Sequence, residues 1–325
     1  MELTEQIEKA AAILREGGVV ALPTETVYGL GANAFNEKAV ARVFEIKRRP
    51  FFDPLILHIS NVKWLDGLVT NVPASAKTLI EKIWPGPLTI VLPKKSIVPD
   101  IATSGLPGVA LRMPSNETAL ALIELAGVPI AAPSANLFGS VSPTTARHVK
   151  AQLGESADMI IDAGPCTVGI ESTIISFMSG TPTLLRPGGT ELEKIENIIG
   201  KVQIPERKEL VNHSPGRSEQ HYATSTPLLR INDIKEVSSI DKKVGLLSIK
   251  PVDENLLSPN IKEIEYLSKN GDLTEAACNL FAAMRRLDAR GVDIIAALPV
   301  PESGLGLAIN DRLYRASCKV KKGII

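Results

Sequence analysis

The stretch GGVVALPTETVYGLGANAFNEKAVARVFEIKRRPFFDPLILH, from Gly17 to His58, decides the fold predicted for this chain. It starts with an unbroken apolar run over residues 19–22, which is typical of a buried strand. The chain then turns polar over residues 23–26. A helical pattern follows, which Asn36 can cap and which ends in Lys47-Arg48-Arg49. A second apolar segment at 55–59 predicts another strand. Hydroxyl groups after one strand and cations after the next helix indicate a pocket for a small anionic ligand.

Composition bounds the classes of protein to which the chain can belong. Its 325 residues exceed the usual size of one domain, so two domains are expected. Lys plus Arg number 36 and Asp plus Glu number 36, which makes the formal net charge zero. A nonspecific nucleic-acid binder normally carries a basic excess. Any RNA contact must therefore depend on a local patch of charge.

Cysteine usage and hydropathy predict the compartment. The three cysteines, Cys166, Cys278 and Cys318, are far apart and have no CxxC spacing, which indicates a reducing compartment without structural zinc. Charged residues directly after Met1 argue against a secretory signal. No apolar run approaches the ~20 residues that a membrane-spanning helix needs. These features predict a cytoplasmic protein that does not enter the membrane.

Strand and helix patterns alternate along the whole chain and predict an α/β fold. The first domain is expected over residues 1–204. Residues 205–227 are polar and without periodicity, so they are interpreted as an interdomain linker. Residues 228–325 are expected to form a C-terminal α/β domain, with strands at 244–249 and 293–298 and helices at 273–287 and 305–317.

Two arginines strengthen the hypothesis of an anion pocket. Arg112 and Arg186 each lie in or at the end of an apolar strand, where an unpaired guanidinium is costly. Each therefore needs either a buried carboxylate or an anionic ligand. Arginine is the usual choice for carboxylates and phosphates because its planar fork binds them with two parallel hydrogen bonds. The cations of residues 47–49, taken alone, are equally well explained by the dipole of their helix.

Ordinary structural roles compete with a functional role at several polar residues. Ser134 and Asn136 are typical turn formers, and Ser142 before Pro143 predicts the N-cap of a helix. Ser172 can be an ordinary strand serine. His58 lies alone on an apolar strand. This position favours the interpretation that it is a buried histidine whose ring is already hydrogen-bonded.

Two familiar classes of site are not supported by the motifs. Residues 29–34 fit GxGxxA, the dinucleotide fingerprint, but six residues separate them from the preceding strand, whereas the fingerprint directly follows its strand. No Ser/His/Asp or Cys/His arrangement stands out either, so covalent catalysis has no visible candidate.

The motifs in chain order carry a family resemblance. They are PTETVYGLGANAF at 23–35, KRRPFFDPLILHI at 47–59, WPGPLTIVL at 84–92, VALRMP at 109–114, PIAAPSAN at 129–136, SPT at 142–144, GIESTII at 169–175 and LLRPG at 184–188. Over about residues 5–200 the chain resembles the YrdC-like threonylcarbamoyl-AMP synthases, and the remainder resembles their long, two-domain form. The resemblance implies an α/β fold in which a YrdC-like twisted mixed sheet with an open concave pocket precedes a small Rossmann-like α/β domain.

The resemblance also implies an activity. Members of the family join L-threonine, bicarbonate and ATP, which carries Mg, into threonylcarbamoyl-adenylate and release pyrophosphate. Partner proteins then transfer the threonylcarbamoyl group to the adenosine beside the anticodon of certain tRNAs, and direct tRNA binding stays open. Two other hypotheses remain: an RNA-binding module without catalysis, and an ATP-dependent carbamoyl-transfer enzyme that acts on another amine.

By similarity, specific residues acquire roles. L-Threonine would be held by Thr26, His58, Arg112, the backbone of Ala132 and Ser172. ATP would be held by Arg49, Asp53, Ser134, Asn136, Ser142, Arg186 and Tyr222. Lys47 and Arg49 would be the catalytic cations, and no residue is expected to hold a resident metal.

The chain departs from the family pattern at two places. Asp53 stands where the family usually has Asn, and a carboxylate there would repel ATP unless it binds the metal. In the linker, the core His221-Tyr222-Ala223 is kept, but the family's preceding aromatic residue and following proline are absent. The expected closure of the linker over the site therefore depends on this core.

Overall fold

The computed structural model describes residues 2–205 and 221–318, which form two compact units. Among these residues, the first unit comprises 2–138 and 143–205, and the second comprises 139–142 and 221–318. The predicted linker at 205–227 falls largely on residues 206–220, which lie outside the described residues. The assignment of residues 139–142 to the second unit was not predicted. It follows from their contacts there, since the Ala223 N–H donates to the Gly139 carbonyl at 2.8 Å.

The described residues of the first unit form a nine-stranded mixed sheet. Its strands are β1 (Val20–Leu22), β2 (Gly29–Asn33), β3 (Ile56–His58), β4 (Leu88–Pro93), β5 (Gly108–Arg112), β6 (Ile130–Ala131), β7 (Met159–Ile160), β8 (Thr173–Ser176) and β9 (Thr183–Arg186). Their order across the sheet is β7-β1-β2-β6-β3-β5-β4-β8-β9. The pairs β1–β7, β3–β5 and β4–β8 are parallel, and the other neighbours are antiparallel. The predicted mixed sheet is confirmed.

Eight helices accompany this sheet among the described residues of the first unit. They are α1 (Leu3–Arg15), α2 (Glu37–Lys47), α3 (Leu65–Leu68), α4 (Ala74–Ile83), α5 (Asp100–Thr103), α6 (Glu117–Ala126), α7 (Ala146–Leu153) and α8 (Leu192–Ile199). Helix α2 begins as predicted, because the Asn36 side chain accepts hydrogen bonds from the Lys38 and Ala39 N–H groups.

Strand β1 is buried on both faces. Val20 and Leu22 pack into a core cluster with α1 and α6. Val19 and Ala21 face the opposite way and pack into a second cluster, which includes residues of α2 and α7. The unbroken apolar run that predicts a buried strand is therefore explained by two cores, one on each side of the sheet.

The glycine motif of residues 29–34 forms strand β2 and not a phosphate-binding turn. A Cβ at Gly31 would lie 2.7 Å from side-chain carbons of both Leu22 and Ile130, on the two neighbouring strands. The glycine is thus required by close packing within the sheet, and the rejection of the dinucleotide fingerprint is confirmed.

The prediction that Ser142 caps a helix is wrong. Helix α7 begins at Ala146, and its N-cap is Thr145, whose Oγ1 accepts from the His148 N–H at 3.2 Å. Ser142 is fully buried in the preceding loop. The Pro143 carbonyl accepts the Tyr28 N–H at 2.9 Å, so this part of the loop is tied to the chain after β1 instead of opening a helix.

The second unit contains a four-stranded parallel sheet. Its strands are β10 (Leu228–Arg230), β11 (Val244–Ser248), β12 (Ile261–Tyr266) and β13 (Ile294–Ala297), in the order β10-β13-β11-β12. Helices α9 (Leu273–Asp288) and α10 (Gly306–Ser317) complete it. The small Rossmann-like α/β domain is confirmed, although the sequence did not predict β10 and β12. Among the helices that the structure describes, none has the length and apolar character needed to cross a membrane.

Candidate active site

Site residues come from strand ends that meet at one edge of the first unit's sheet. His58, Arg112 and Arg186 are the last residues of β3, β5 and β9, and Ser172 directly precedes β8. Because β3 and β5 run parallel while β4 and β8 run the opposite way, these ends share one edge. Of the five adjacent strands β3, β5, β4, β8 and β9, all except β4 thus contribute to one row of polar side chains.

The polar loop after β1 is held by the hydroxyl of Thr24. Its Oγ1 accepts from the N–H groups of Thr26 and Val27, both at 3.2 Å, and donates to the Val27 carbonyl at 2.6 Å. Thr24 Oγ1 and Thr26 Oγ1 are 2.9 Å apart. Since the Thr24 proton is directed to Val27, the Thr26 hydroxyl donates to Thr24 and is left to accept from another group.

That other group is Arg112, whose guanidinium is held on all three nitrogens. Nη1 donates to Thr26 Oγ1 at 2.8 Å, Nε donates to the Gly86 carbonyl at 3.3 Å, and Nη2 lies 2.7 Å from Glu25 Oε1. Arg112 and Glu25 are both buried. The sequence left open whether Arg112 meets a buried carboxylate or an anionic ligand, and the structure supplies the carboxylate.

Glu25 is a site residue that the sequence reasoning missed. Burial by itself raises the pKa of this carboxyl, but the Arg112 charge and hydrogen bonding outweigh burial and leave the pKa below its ordinary value. Glu25 is therefore ionised at neutral pH. The signal that could have found it was present, because the acid lies next to Thr26 in the polar loop and a buried Arg requires a carboxylate.

His58 lies beside Arg112, since the two residues are Cα partners in the parallel pairing of β3 and β5. Burial and the positive charge of Arg112 lower the pKa of His58 to about 3, so its ring is neutral at physiological pH. Within the described part of the chain, its Nδ1 is buried and has no hydrogen-bond partner. The interpretation of His58 as a fully hydrogen-bonded core histidine is therefore wrong for Nδ1.

Arg186 is hydrogen-bonded to Ser172. Its Nε and Nη2 donate to the Ser172 carbonyl at 3.1 and 3.0 Å, and Nη2 also donates to the Ser172 hydroxyl at 3.2 Å. The same hydroxyl lies 2.7 Å from Thr89 Oγ1. Ser172 is thus no ordinary strand serine, because it links the end of β9 to strand β4 through a buried polar network.

The cations at the end of α2 separate into one exposed and two buried side chains. Arg48, the C-cap, has a left-handed backbone with φ of 51°, and its side chain is exposed. This turn of the backbone leaves the side chains of Lys47 and Arg49 buried. The explanation by the helix dipole alone, which would leave all three in solvent, does not hold for these two.

Lys47 joins α2 to the loop after β6. Its Nζ donates to the backbone carbonyls of Ser134 and Asn136, both at 2.5 Å. Burial and, to a smaller extent, the charge of Arg49 lower the pKa of Lys47 well below its ordinary value. Asn136 donates to the Leu137 carbonyl at 2.8 Å, and the Ala132 N–H donates to the Ile56 carbonyl at 2.9 Å.

Arg49 is held by the loop that follows it. Its Nε donates to the Asp53 carbonyl at 3.0 Å, and Nη2 donates to the Pro54 carbonyl at 2.9 Å. The same Nη2 lies 2.9 Å from Asp53 Oδ2, and both side chains are buried. Asp53 thus meets a cation, which offsets the negative charge expected to repel a phosphate.

Comparison with known families identifies the chain. Residues 12–188 match the Sua5/YciO/YrdC family model, whose description reads telomere recombination. The chain belongs to the Sua5/YciO/YrdC family. Residues 190–318 match the model of the C-terminal domain of threonylcarbamoyl-AMP synthase, so the predicted resemblance to the two-domain form is confirmed.

Two relatives match this family member over nearly its whole length. The threonylcarbamoyl-AMP synthase of Pyrococcus abyssi is 44% identical and spans 96% of this chain and 94% of its own. That of Bacillus subtilis is 43% identical and spans 96% and 93%. The crystal structure of P. abyssi Sua5 complexed with L-threonine is similar, with a TM-score of 0.89 over 98% of this chain and 95% of the other.

In this Sua5/YciO/YrdC family member, the structure groups many of the predicted site residues. It brings together Thr26, His58 and Arg112 from the predicted threonine set, and it links Ser172 to Arg186. It also links Lys47 to Ser134 and Asn136, and Arg49 to Asp53. The division of these groups between threonine and ATP stays a prediction. The residues that the structure describes hold no group of three or more His, Cys, Asp or Glu placed to bind a metal ion.

Ser142 and Tyr222, also predicted to hold ATP, belong to the second unit. Tyr222 is buried, with φ of 62°. Its ring stacks on Phe281 at 5.3 Å between centroids, and the Arg312 guanidinium carbon lies 5.5 Å from its centre. The ring of His221 contacts it edge-on at 4.1 Å. The role of Tyr222 toward ATP stays a prediction.

Proposed function

We propose that this protein synthesises threonylcarbamoyl-AMP from L-threonine, bicarbonate and ATP with release of pyrophosphate, the first step of threonylcarbamoyladenosine formation in tRNA. The observation that carries the proposal is the buried Arg112, held by Glu25 and Thr26 beside a neutral His58, in a chain 44% identical to a protein crystallised with L-threonine. The names of the full-length relatives favour this synthase over an RNA-binding module without catalysis.

The threonine carboxylate is assigned to Arg112. A guanidinium has five N–H groups, and the three contacts with Glu25, Thr26 and Gly86 account for at most three of them. Those that remain on Nη1 and Nη2 can bind a carboxylate with two parallel hydrogen bonds. The buried Nδ1 of His58 is an additional polar atom for the amino acid.

The phosphates of ATP are assigned to Lys47, Arg49 and Arg186. Negative phosphate charge near Lys47 would raise its depressed pKa again, so that it binds ATP as a cation. Lys47 also holds the Ser134–Asn136 loop through two carbonyls, which positions Ser134 for the nucleotide. Magnesium is proposed to enter on the phosphate oxygens of ATP and to neutralise part of their charge there.

The proposed reaction needs no nucleophile from the protein. The threonine amine, once deprotonated, attacks carbon dioxide and releases a proton, or attacks bicarbonate and releases water, and a carbamate forms in either case. A carbamate oxygen then attacks the α-phosphorus of ATP, and the new P–O bond forms as the bond to pyrophosphate breaks. Such transfers depend mainly on positioning and charge neutralisation, which is what a row of immobilised cations supplies.

The test is pyrophosphate release by the purified protein with ATP and magnesium. Release is expected only when both L-threonine and bicarbonate are present. Release without threonine, or with another amino acid at the same rate, would reject the proposed function. Replacing bicarbonate by carbamoyl phosphate tests the alternative that the protein transfers carbamoyl groups to a different amine.

A further inference from the structure

The charge of Arg112 is already balanced by Glu25 before a ligand binds. Glu25 and Arg112 form an ion pair of 2.7 Å in which the two side chains are only 5% and 4% exposed. Since the pKa of Glu25 is lowered and Arg is always protonated, both groups are charged and the pair is neutral overall. The guanidinium therefore already has a carboxylate before any ligand arrives.

The carboxylate of a ligand bound to the same guanidinium would be repelled by the carboxylate of Glu25. Two negative charges would then share one buried cation, and their repulsion is only weakly screened away from solvent. The neighbouring His58 does not supply a compensating charge, because its ring is neutral. The missing positive charge must come with the ligand. In an α-amino acid the ammonium group lies on the carbon next to the carboxylate and meets this need.

We propose that Glu25 is a specificity-determining residue that makes this site select a zwitterionic α-amino acid and reject the same carboxylate without its ammonium group. The inference rests on the proposed function, in which Arg112 binds the threonine carboxylate. This role differs from a purely structural one, because a residue that only orients Arg112 would affect the affinity for both kinds of ligand equally.

The proposal is tested by calorimetric binding of two ligands that differ in one group. L-Threonine is compared with (R)-3-hydroxybutanoate, which keeps the carboxylate, the hydroxyl and its configuration but lacks the ammonium. The wild-type protein is expected to bind threonine at least about 100-fold more tightly. In Glu25→Gln this preference falls about tenfold or more, because threonine binds more weakly while hydroxybutanoate does not.

Two further variants separate charge from structure. Glu25→Asp keeps the carboxylate and is expected to retain most of the preference. Glu81→Gln removes an exposed carboxylate on α4 and is expected to leave both affinities unchanged. An unchanged preference in folded Glu25→Gln overturns the inference, and if that variant does not fold, loss of the preference in Glu25→Asp overturns it.

Binding by the wild-type protein alone is a further test. Equal binding of the two ligands rejects the role of Glu25 without any variant. Failure to bind either ligand rejects both the inference and the threonine assignment. Selective threonine binding without pyrophosphate release would reject the proposed reaction and leave the selection by Glu25 standing, so the two failures are distinguishable.

Discussion

Arg49 and Asp53 form a buried salt bridge, with Nη2 of the arginine 2.9 Å from Oδ2 of the aspartate. The pairing concerns Asp53, where the resemblance to the family implies an Asn. In the proposed function, Asp53 competes with an ATP phosphate for the charge of Arg49. Arg49 keeps its bonds to the carbonyls of residues 53 and 54 whichever side chain stands at 53.

The variant Asp53→Asn is therefore expected to lose stability without ATP and to gain affinity for it. An Arg49 charge left buried without its carboxylate costs about 3–5 kcal/mol, and an ATP phosphate is expected to restore the lost interaction. Thermal unfolding with and without MgATP measures both effects. The upward shift of Tm caused by MgATP should be larger in the variant than in wild type, and an equal shift would contradict the competition.

Substitutions of the two adjacent arginines at the end of α2 are expected to have different effects on pyrophosphate release. Arg49→Ala removes a buried cation assigned to ATP and should lower pyrophosphate release by about 100-fold or more. Arg48→Gly removes an exposed side chain at φ of 51°, so release should stay unchanged while stability rises by about 1 kcal/mol.

Assays of pyrophosphate release and circular dichroism of the two variants separate activity from folding. Arg49→Lys serves as the second test at this site, since it keeps the charge but loses the fork that reaches both Asp53 and Pro54. It should retain partial activity. Full activity in folded Arg49→Ala would remove this residue from the site.

The protein is expected to lose stability in mild acid because His58 is buried and neutral in the folded state. Its pKa is about 3 in the folded protein, whereas a histidine in the unfolded chain titrates near 6.5. Between these two pH values His58 is protonated in the unfolded state but not in the folded state. The contribution of His58 to the free energy of unfolding is therefore fully present above about pH 6.5 and decreases as the pH is lowered toward 3. By pH 5 the loss amounts to about 2 kcal/mol.

Urea unfolding at pH 7, 6 and 5 measures this loss in the wild-type protein and in His58→Gln. The variant cannot be protonated at this position, so its stability should fall less over the same interval, although Glu25 and other carboxyls still contribute in both proteins. Identical slopes for the two proteins would show that the ring of His58 is not held neutral.

Gly188 permits the close approach between Arg186 and Ser172. A Cβ at this position would lie 2.3 Å from the Glu171 carbonyl oxygen and 2.4 Å from the Ser172 carbonyl carbon, and backbone atoms cannot rotate away. Gly188→Ala is expected to cost about 1–3 kcal/mol and to displace Ser172, with a matching loss of pyrophosphate release.

The control for this substitution is Gly67→Ala, because a Cβ at Gly67 meets nothing within 4 Å and the residue lies in helix α3. Its stability should stay the same or rise slightly, since Ala favours helix over Gly. Chemical unfolding of the two variants provides the comparison. Equal stability of the two would mean that the contact at Gly188 relaxes without cost.

Local patterns predicted much of the fold, since their causes act over a few residues. The apolar run of β1, the cap at Asn36 and the helix that ends at Lys47 all follow from periodicity or from a side chain that bonds its own backbone neighbours. The Ser142 prediction failed for the complementary reason. Its local pattern suits a cap, but the backbone of Pro143 is bonded to Tyr28, far away in the chain.

The sequence by itself determined that the chain is a mixed α/β protein with hydroxyls and cations gathered for an anion, because residue type and short-range spacing carry that information. Only the tertiary structure decided which groups meet. Arg112 contacts Thr26 across 86 positions and pairs with Glu25 beside it. A buried charge must be compensated, but the residue that compensates it is chosen by the order and direction of the strands and not by proximity in the chain.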